Sequence, residues 1–199
     1  MTTITIANIK NLKLKINLIG REVPDKRFGA AGRAIEDMIE AEGFSINRQA
    51  TLDNPFFEVK SRDLDCKSSA QTIGSMLLTN VIRTKWEDTT LFQKIQIQFR
   101  VKTRNNIIVS HSLYDFRPNE IQNLLKGSYN LARQKIINFA GSNAASNVAF
   151  PDYISGGDYG YFERKKGSDS WDFRIRDINF KKLEGMAKST FFDLFSEEV

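Results

Sequence analysis

In 199 residues the chain has one cysteine and one histidine. Cys66 alone excludes an internal disulfide framework and any zinc site built on a cysteine cluster. His111 alone excludes multi-histidine metal chemistry and argues against a Ser-His-Asp mechanism. No apolar run approaches the roughly 18 residues that a membrane span requires. The N-terminal residues carry no signal-peptide pattern, so the expected location is the cytoplasm. Catalysis, if the chain performs any, falls to carboxylates, lysines and tyrosines.

What is present points to a packed, basic domain. Hydrophobic residues make up 41% of the chain, and 15 of them are phenylalanine. The whole of 1–199 is expected to fold as one domain. The net charge is +5 and the sequence pI about 9.3. That balance favours a polyanionic partner, because basic surface gains affinity by displacing counterions from phosphates.

Periodicity sets out the elements. Residues 11–18 alternate like a strand, with a short amphipathic helix as the other option. Residues 30–42 read as a helix with Ala31, Ala34, Ile35, Met38 and Ile39 as its apolar stripe and Gly43 as its stop. A short strand is expected over 44–49, another over 56–62, and residues 73–82 are apolar without a clear period. Strands over 91–101 and 107–114 pair as a hairpin around residues 103–106. A long helix follows over about 119–139, then a loop over 141–158. A second hairpin joins 159–164 to 171–176, and a short helix lies near 179–187. The pattern is α/β in the mixed α+β sense: a central mixed sheet flanked by helices.

The most informative stretch is Asp53-Asn54-Pro55-Phe56-Phe57-Glu58-Val59-Lys60. Strand alternation puts Glu58 and Lys60 on one face, roughly 6.5–7 Å apart along the chain, with Phe57 and Val59 directed into a core. Asp53 lies just upstream, before a turn at Asn54 and Pro55. Carboxylate oxygens are natural ligands for Mg²⁺. The ion lowers the pKa of a bound water and neutralises charge on a phosphoryl transition state, and a neighbouring lysine orients or deprotonates that water. Two carboxylates and an amine at a strand end therefore suit phosphodiester hydrolysis. The competing reading is an ordinary surface strand with a Glu/Lys pair. Glu36, off the main apolar stripe of its helix, can reach sideways to the same site or stand solvated like Glu40 and Glu42.

Gly29, Gly32 and Glu36 on that helix, followed by Asp53, Glu58 and Lys60, resemble the PD-(D/E)XK nuclease superfamily. Within it the chain is similar to the MutH-like branch, which holds the methyl-directed mismatch-repair nicking endonuclease and related type II restriction enzymes. Later stretches resemble further family segments in the same order: Leu91 to Ile95, Phe116 to Glu120, Asp172 to Arg176 and Asn179 to Leu183. The likeness runs in pieces from about residue 28 to 190. It implies a restriction-endonuclease-like fold, with Glu36, Asp53 and Glu58 as acidic residues, Lys60 as catalytic lysine and Lys94 as an auxiliary one. Asp53 and Glu58 would hold Mg²⁺, for which Mn²⁺ can substitute. The four residues between Asp53 and Glu58 make a shorter gap than in the mismatch-repair enzyme, one that some restriction members share.

Basic residues form the second constellation. Arg164, Lys165, Lys166, Arg174 and Arg176 fall on the late hairpin, within a C-terminal part (about 150–199) expected to read DNA from the major groove. Arg100, Lys102 and Arg104, with Lys94, would contact phosphates. Tyr153, Tyr159, Tyr161 and Trp171 flank the hairpin as base contacts or as core. Together these readings imply a Mg²⁺-dependent, sequence-specific endonuclease on double-stranded DNA, of restriction type, nicking one strand at a time as a monomer. A dimer, a mismatch-repair nickase and a non-catalytic nucleic-acid-binding module on the same fold are the alternatives.

Overall fold

The apolar stripe expected over residues 30–42 does form a helix, α1 (Ala30–Ala41). Ile35 and Ile39 are fully buried, and Ala31, Ala34 and Met38 pack beside them. Its end has a physical cause. Gly43 adopts φ +91°, a left-handed conformation that costs glycine nothing. Its N–H donates to the Glu40 carbonyl (2.9 Å), and the Phe44 N–H donates to the Ile39 carbonyl (3.4 Å). This is the Schellman arrangement, with Phe44 as the apolar residue that closes over the helix end. Phe44 then meets Phe57 edge to face at 6.0 Å.

The structure is a computed structural model describing residues 16–24, 30–48, 53–54, 57–63, 70–89, 95–102, 105–117, 119–143, 149–176, 178–179 and 182–183. The remaining elements are β1 (Phe57–Asp63), β2 (Ala70–Leu77), α2 (Leu78–Arg83), β3 (Ile95–Lys102), β4 (Ile107–Asp115), α3 (Asn119–Asn143), β5 (Tyr153–Ser155), β6 (Tyr161–Arg164) and β7 (Ser170–Arg176). A 3₁₀ turn covers Trp86–Asp88. The class is mixed α/β. Its strands divide between a three-stranded sheet ordered β1-β3-β4 and a four-stranded sheet ordered β2-β7-β6-β5. Two compact units result, one from Met1–Lys67, Lys94–Asp115 and Ser189–Val199, the other from Ser68–Gln93 and Phe116–Lys188.

In the first unit, β1 runs parallel to β3 and β3 antiparallel to β4. Phe57 and Val59 of β1 enter a core with Ile35, Ile39, Phe99, Val101 and Ile108. The hairpin turns through Asn106 at φ +52°, a conformation asparagine tolerates better than most residues. The outer edge of β4 is covered by chain 20–23. Gly20 N–H donates to the Ile108 carbonyl (2.8 Å), and Ile108 N–H to the Arg21 carbonyl (3.0 Å).

Two expected strands in this unit are corrected. Residues 44–47 are not a strand, because Phe44 closes the helix end and the segment bonds locally: Asn47 N–H to the Asp53 carbonyl (2.6 Å), Asn54 Nδ2 to the Ser45 carbonyl (2.8 Å). Residues 16–18 keep the expected alternation, with Ile16 and Leu18 buried and Asn17 exposed, yet belong to no ladder. Residues 11–15 lie outside the described residues.

In the second unit all strand pairs are antiparallel. The apolar stretch 73–82 resolves into the end of β2 and then α2, with a register shift between Thr72 and Gly74. Helix α3 buries Ile121, Leu125, Tyr129, Ala132 and Ile136. The Tyr129 ring meets Trp86, Phe162 and Phe173 edge to face at 5.5, 5.5 and 5.8 Å. Its hydroxyl donates to the Thr84 carbonyl at 2.9 Å, and burial pushes its pKa up to about 12. A Cβ on Gly160 would lie 2.1 Å from the Phe173 ring, so only glycine lets β6 approach it.

The expected loop over 141–158 is shorter than its composition suggests. Helix α3 continues to Asn143, and Tyr153–Ser155 pairs with β6 as an edge strand. Gly156, just after it, serves close approach: a Cβ there would meet the Ser128 carbonyl at 2.1 Å. The second hairpin forms as expected between β6 and β7, turning through Gly167 at φ +74°. Near its far end Ile178, Asn179, Lys182 and Leu183 are helical. No described helix is long and apolar enough to cross a membrane.

Candidate active site

Strand β1 places Glu58 and Lys60 on one face, as alternation requires, and their side chains form an ion pair. Glu58 is 6% exposed, and the lysine is about one-third exposed. A carboxylate this buried needs a counter-charge or donors. Lys60 Nζ supplies the first, and the Asp53 N–H approaches the other Glu58 oxygen at 3.4 Å. Asp53 is brought beside β1 by the tight connection through Asn54, whose N–H donates to the Phe57 carbonyl (3.1 Å) and whose carbonyl accepts from Phe57 N–H (3.2 Å). The Asp53 carboxylate folds back on the strand, its Oδ2 accepting from Val59 N–H at 2.7 Å. Asp53 thus has a structural task on the outer edge of β1, whatever chemistry it also carries.

Glu36 joins this group from α1. One turn earlier, α1 runs against β1 at Gly32, where a Cβ would sit in ordinary contact with Ser61 Oγ at 3.7 Å. The Glu36 carboxyl titrates above its ordinary range. Burial is the first cause and the charge of Asp53 the second, opposed by Arg48 and Lys60. Glu36, Asp53, Glu58 and Lys60, four residues separated by up to 24 positions in the chain, therefore occupy one electrostatic neighbourhood.

Arg48 is the residue that the sequence gave no reason to single out. Its Nε donates to Glu36 Oε2 at 3.1 Å, and one terminal nitrogen donates to Asp37 (2.5 Å) and to Glu40 (2.9 Å). The available signal was indirect: Glu36, Asp37 and Glu40 crowd one flank of α1, and such crowding calls for a cation.

Among the described residues no three carboxylate, imidazole or thiolate side chains form a ready-made metal cage. Mg²⁺ does not need one, since it keeps several waters and is held by one or two carboxylates. Asp53 and Glu58 supply that oxygen set, with Glu36 behind them, so the donor chemistry fits a hard divalent cation.

The other expected residues are placed unevenly. Lys94 and Arg104 lie outside the described residues, and Arg100 and Lys102 are located on β3 by their backbone alone. Arg164, Lys165 and Lys166 are exposed at the β6–β7 turn, with Arg164 3.9 Å from Asp169. Arg174 and Arg176 do share a face of β7 with Asp172, opposite the buried Trp171, Phe173 and Ile175. Both arginines are already engaged. Arg174 pairs with Glu163 and donates to the Ala70 carbonyl at 3.3 Å. Arg176 bonds the Tyr153 hydroxyl at 3.2 Å and lies over its ring at 5.9 Å. Of the flanking aromatics, Trp171 and Tyr161 are core, while Tyr153 is 42% exposed. Over 149–176, the basic Arg164, Lys165, Lys166, Arg174 and Arg176 are matched one for one by Asp152, Asp158, Glu163, Asp169 and Asp172.

Compared with known proteins, the chain matches no family model, no curated protein and no solved structure.

Proposed function

We propose that this chain is a Mg²⁺-dependent endonuclease acting on double-stranded DNA, with Glu36, Asp53, Glu58 and Lys60 as its active site on a restriction-endonuclease-like fold. One observation carries the reading: a buried Glu58 paired with Lys60 on β1, with Asp53 hydrogen-bonded to the same strand and Glu36 in its field. A magnesium ion held by Asp53 and Glu58 would supply charge stabilisation at the scissile phosphate. The protein's own residues divide the remaining work. Lys60, its ammonium anchored on Glu58, stands where it can orient an attacking water and offset charge developing on phosphate oxygens. Glu36, whose carboxyl is pushed up by burial, is a carboxylate suited to taking up a proton. Asp53, held by Val59 N–H, is preorganised rather than recruited.

The parallel β1–β3 pair with α1 packed on β1 supports the same reading, as does the resemblance of the Gly32, Glu36, Asp53, Glu58 and Lys60 pattern to the nuclease superfamily. A restriction-type, sequence-specific activity on an exposed basic hairpin follows from that resemblance. The test is incubation of the purified chain with plasmid and phage DNA in Mg²⁺ or Mn²⁺, followed by sequencing of the ends. Expected products are nicks at a fixed sequence carrying 5′-phosphate and 3′-hydroxyl. DNA that stays intact across both metals overturns the activity.

A further inference from the structure

The acidic cluster is countered from within. Lys60 covers Glu58, and Arg48 covers Glu36. The two pairs differ in what the cation leaves behind on release. Lys60 pairs with Glu58, whereas the Arg48 guanidinium also rests on Asp37 at 2.5 Å and Glu40 at 2.9 Å. Asp37 and Glu40 are the more exposed carboxylates of the three on that helix flank; the Glu36 side chain is 16% exposed. A guanidinium presents a fixed fork of donors, so it can give up its Nε contact while its one bonded terminal nitrogen stays on Asp37 and Glu40.

We propose that Arg48 is a displaceable counter-ion for Glu36: it holds that carboxylate in the cation-free site and yields it when a divalent cation binds, which sets the concentration at which the site fills. This rests on the reading of Asp53 and Glu58 as cation ligands, with Glu36 beside them as the further carboxylate that the cation draws on. Arg48 is a positioning residue, acting through Glu36. Two cations sharing one carboxylate oppose each other, and the opposition is strongest where the carboxylate is buried. The segment that carries Arg48 is itself tied to the site, since the neighbouring Asn47 N–H donates to the Asp53 carbonyl. Exchange at Glu36 therefore takes place beside a backbone already fixed on the ligand-bearing turn.

The test titrates Mn²⁺ into the intact chain and follows loss of the free-ion paramagnetic signal. Arg48→Gln should bind Mn²⁺ about three- to tenfold more tightly than wild type, the size expected for removing one partly exposed charge. Arg48→Lys, which keeps the charge, should stay within about twofold of wild type. In a Glu36→Gln background the Arg48→Gln gain should vanish, because the coupling runs through that carboxylate. A gain that persists there, or an Arg48→Gln protein that binds no more tightly than wild type, overturns the proposal. If Arg48→Gln does not fold, Arg48→Met carries the same comparison. A wild type that binds Mn²⁺ yet cuts no DNA removes the nuclease reading and leaves this proposal to the cycle. A wild type that binds no Mn²⁺ removes both.

Discussion

The acidic cluster on β1 and the basic hairpin of β6 and β7 both place charge on strands, but they use it in opposite ways. At β1, three carboxylates (Glu36, Asp53, Glu58) face two cations (Lys60, Arg48), and the charge is partly buried. At the hairpin the charges are balanced in number, mostly exposed, and two of the five basic residues lie on acidic ones: Arg174 on Glu163, Arg164 near Asp169. Burial makes the difference matter. A half-buried excess of negative charge keeps its field and calls for an added cation, whereas exposed matched pairs are screened within about 10 Å at ordinary salt. The hairpin's five basic residues, which look alike in sequence, are not equivalent. Lys165 and Lys166 at the turn are exposed, while Arg174 helps to hold the sheet.

The sharpest way to break this contrast is to remove a cation from each region. Lys60→Ala is expected to lower cleavage by about 10²–10⁴-fold, the range for loss of a positioned acid–base group, while leaving DNA affinity within a few-fold of wild type. Wild-type cleavage by purified Lys60→Ala protein would show that the β1 cluster is no more chemical than the hairpin. The corresponding change at the hairpin, Arg164→Gln with Lys165→Gln and Lys166→Gln, is expected to leave the cleavage rate at saturating DNA unchanged. It should weaken binding by about tenfold and flatten the salt dependence of affinity by up to about three units of slope. An unchanged slope would mean that the turn touches no phosphate.

Packing offers a third comparison. Gly160 sits under the Phe173 ring with no room for a methyl group. Gly160→Ala is expected to cost about 1–3 kcal/mol, seen as a fall in Tm of several degrees. Gly43→Ala, strained by its positive φ but meeting nothing within 4 Å, should cost about 1–2 kcal/mol. A Gly160→Ala protein as stable as the wild type would mean that β6 relaxes away from Phe173.

Much of the scaffold was legible because its signals are local. The stripe of α1, its stop at Gly43 and both hairpins follow from spacing and turn chemistry. The pairing of Glu58 with Lys60 follows from strand alternation alone. The misses have long-range causes. Residues 44–47 have strand-like composition, but Phe44 is needed to cap α1 and the backbone bonds go to Asp53. The loop-like composition before β6 hides the short edge strand Tyr153–Ser155 and a glycine, Gly156, that must pass close to Ser128. Arg48 was illegible because its three carboxylate partners lie 8 to 12 residues upstream, with a helix end between. No periodicity records that return.

The smallest effect tests the electrostatics of the cluster itself. Glu36 has its carboxyl raised in the folded chain, so its ionised form is less favourable there than in the unfolded chain. The folded state then binds more protons between the two pKa values, and stability falls as pH rises through that window. Above the folded pKa the cost is fully present; below the unfolded value, near 4.5, it is gone. Glu36→Gln removes the charge while keeping a carbonyl oxygen for Arg48. It is expected to raise Tm by roughly 1–3 °C at pH 7, with the gain shrinking to nothing as pH drops below that window. A Tm that falls at pH 7 would mean that the Arg48 ion pair outweighs burial and the repulsion from Asp53. Glu36 would then resemble the matched pairs of the hairpin rather than a site short of one cation.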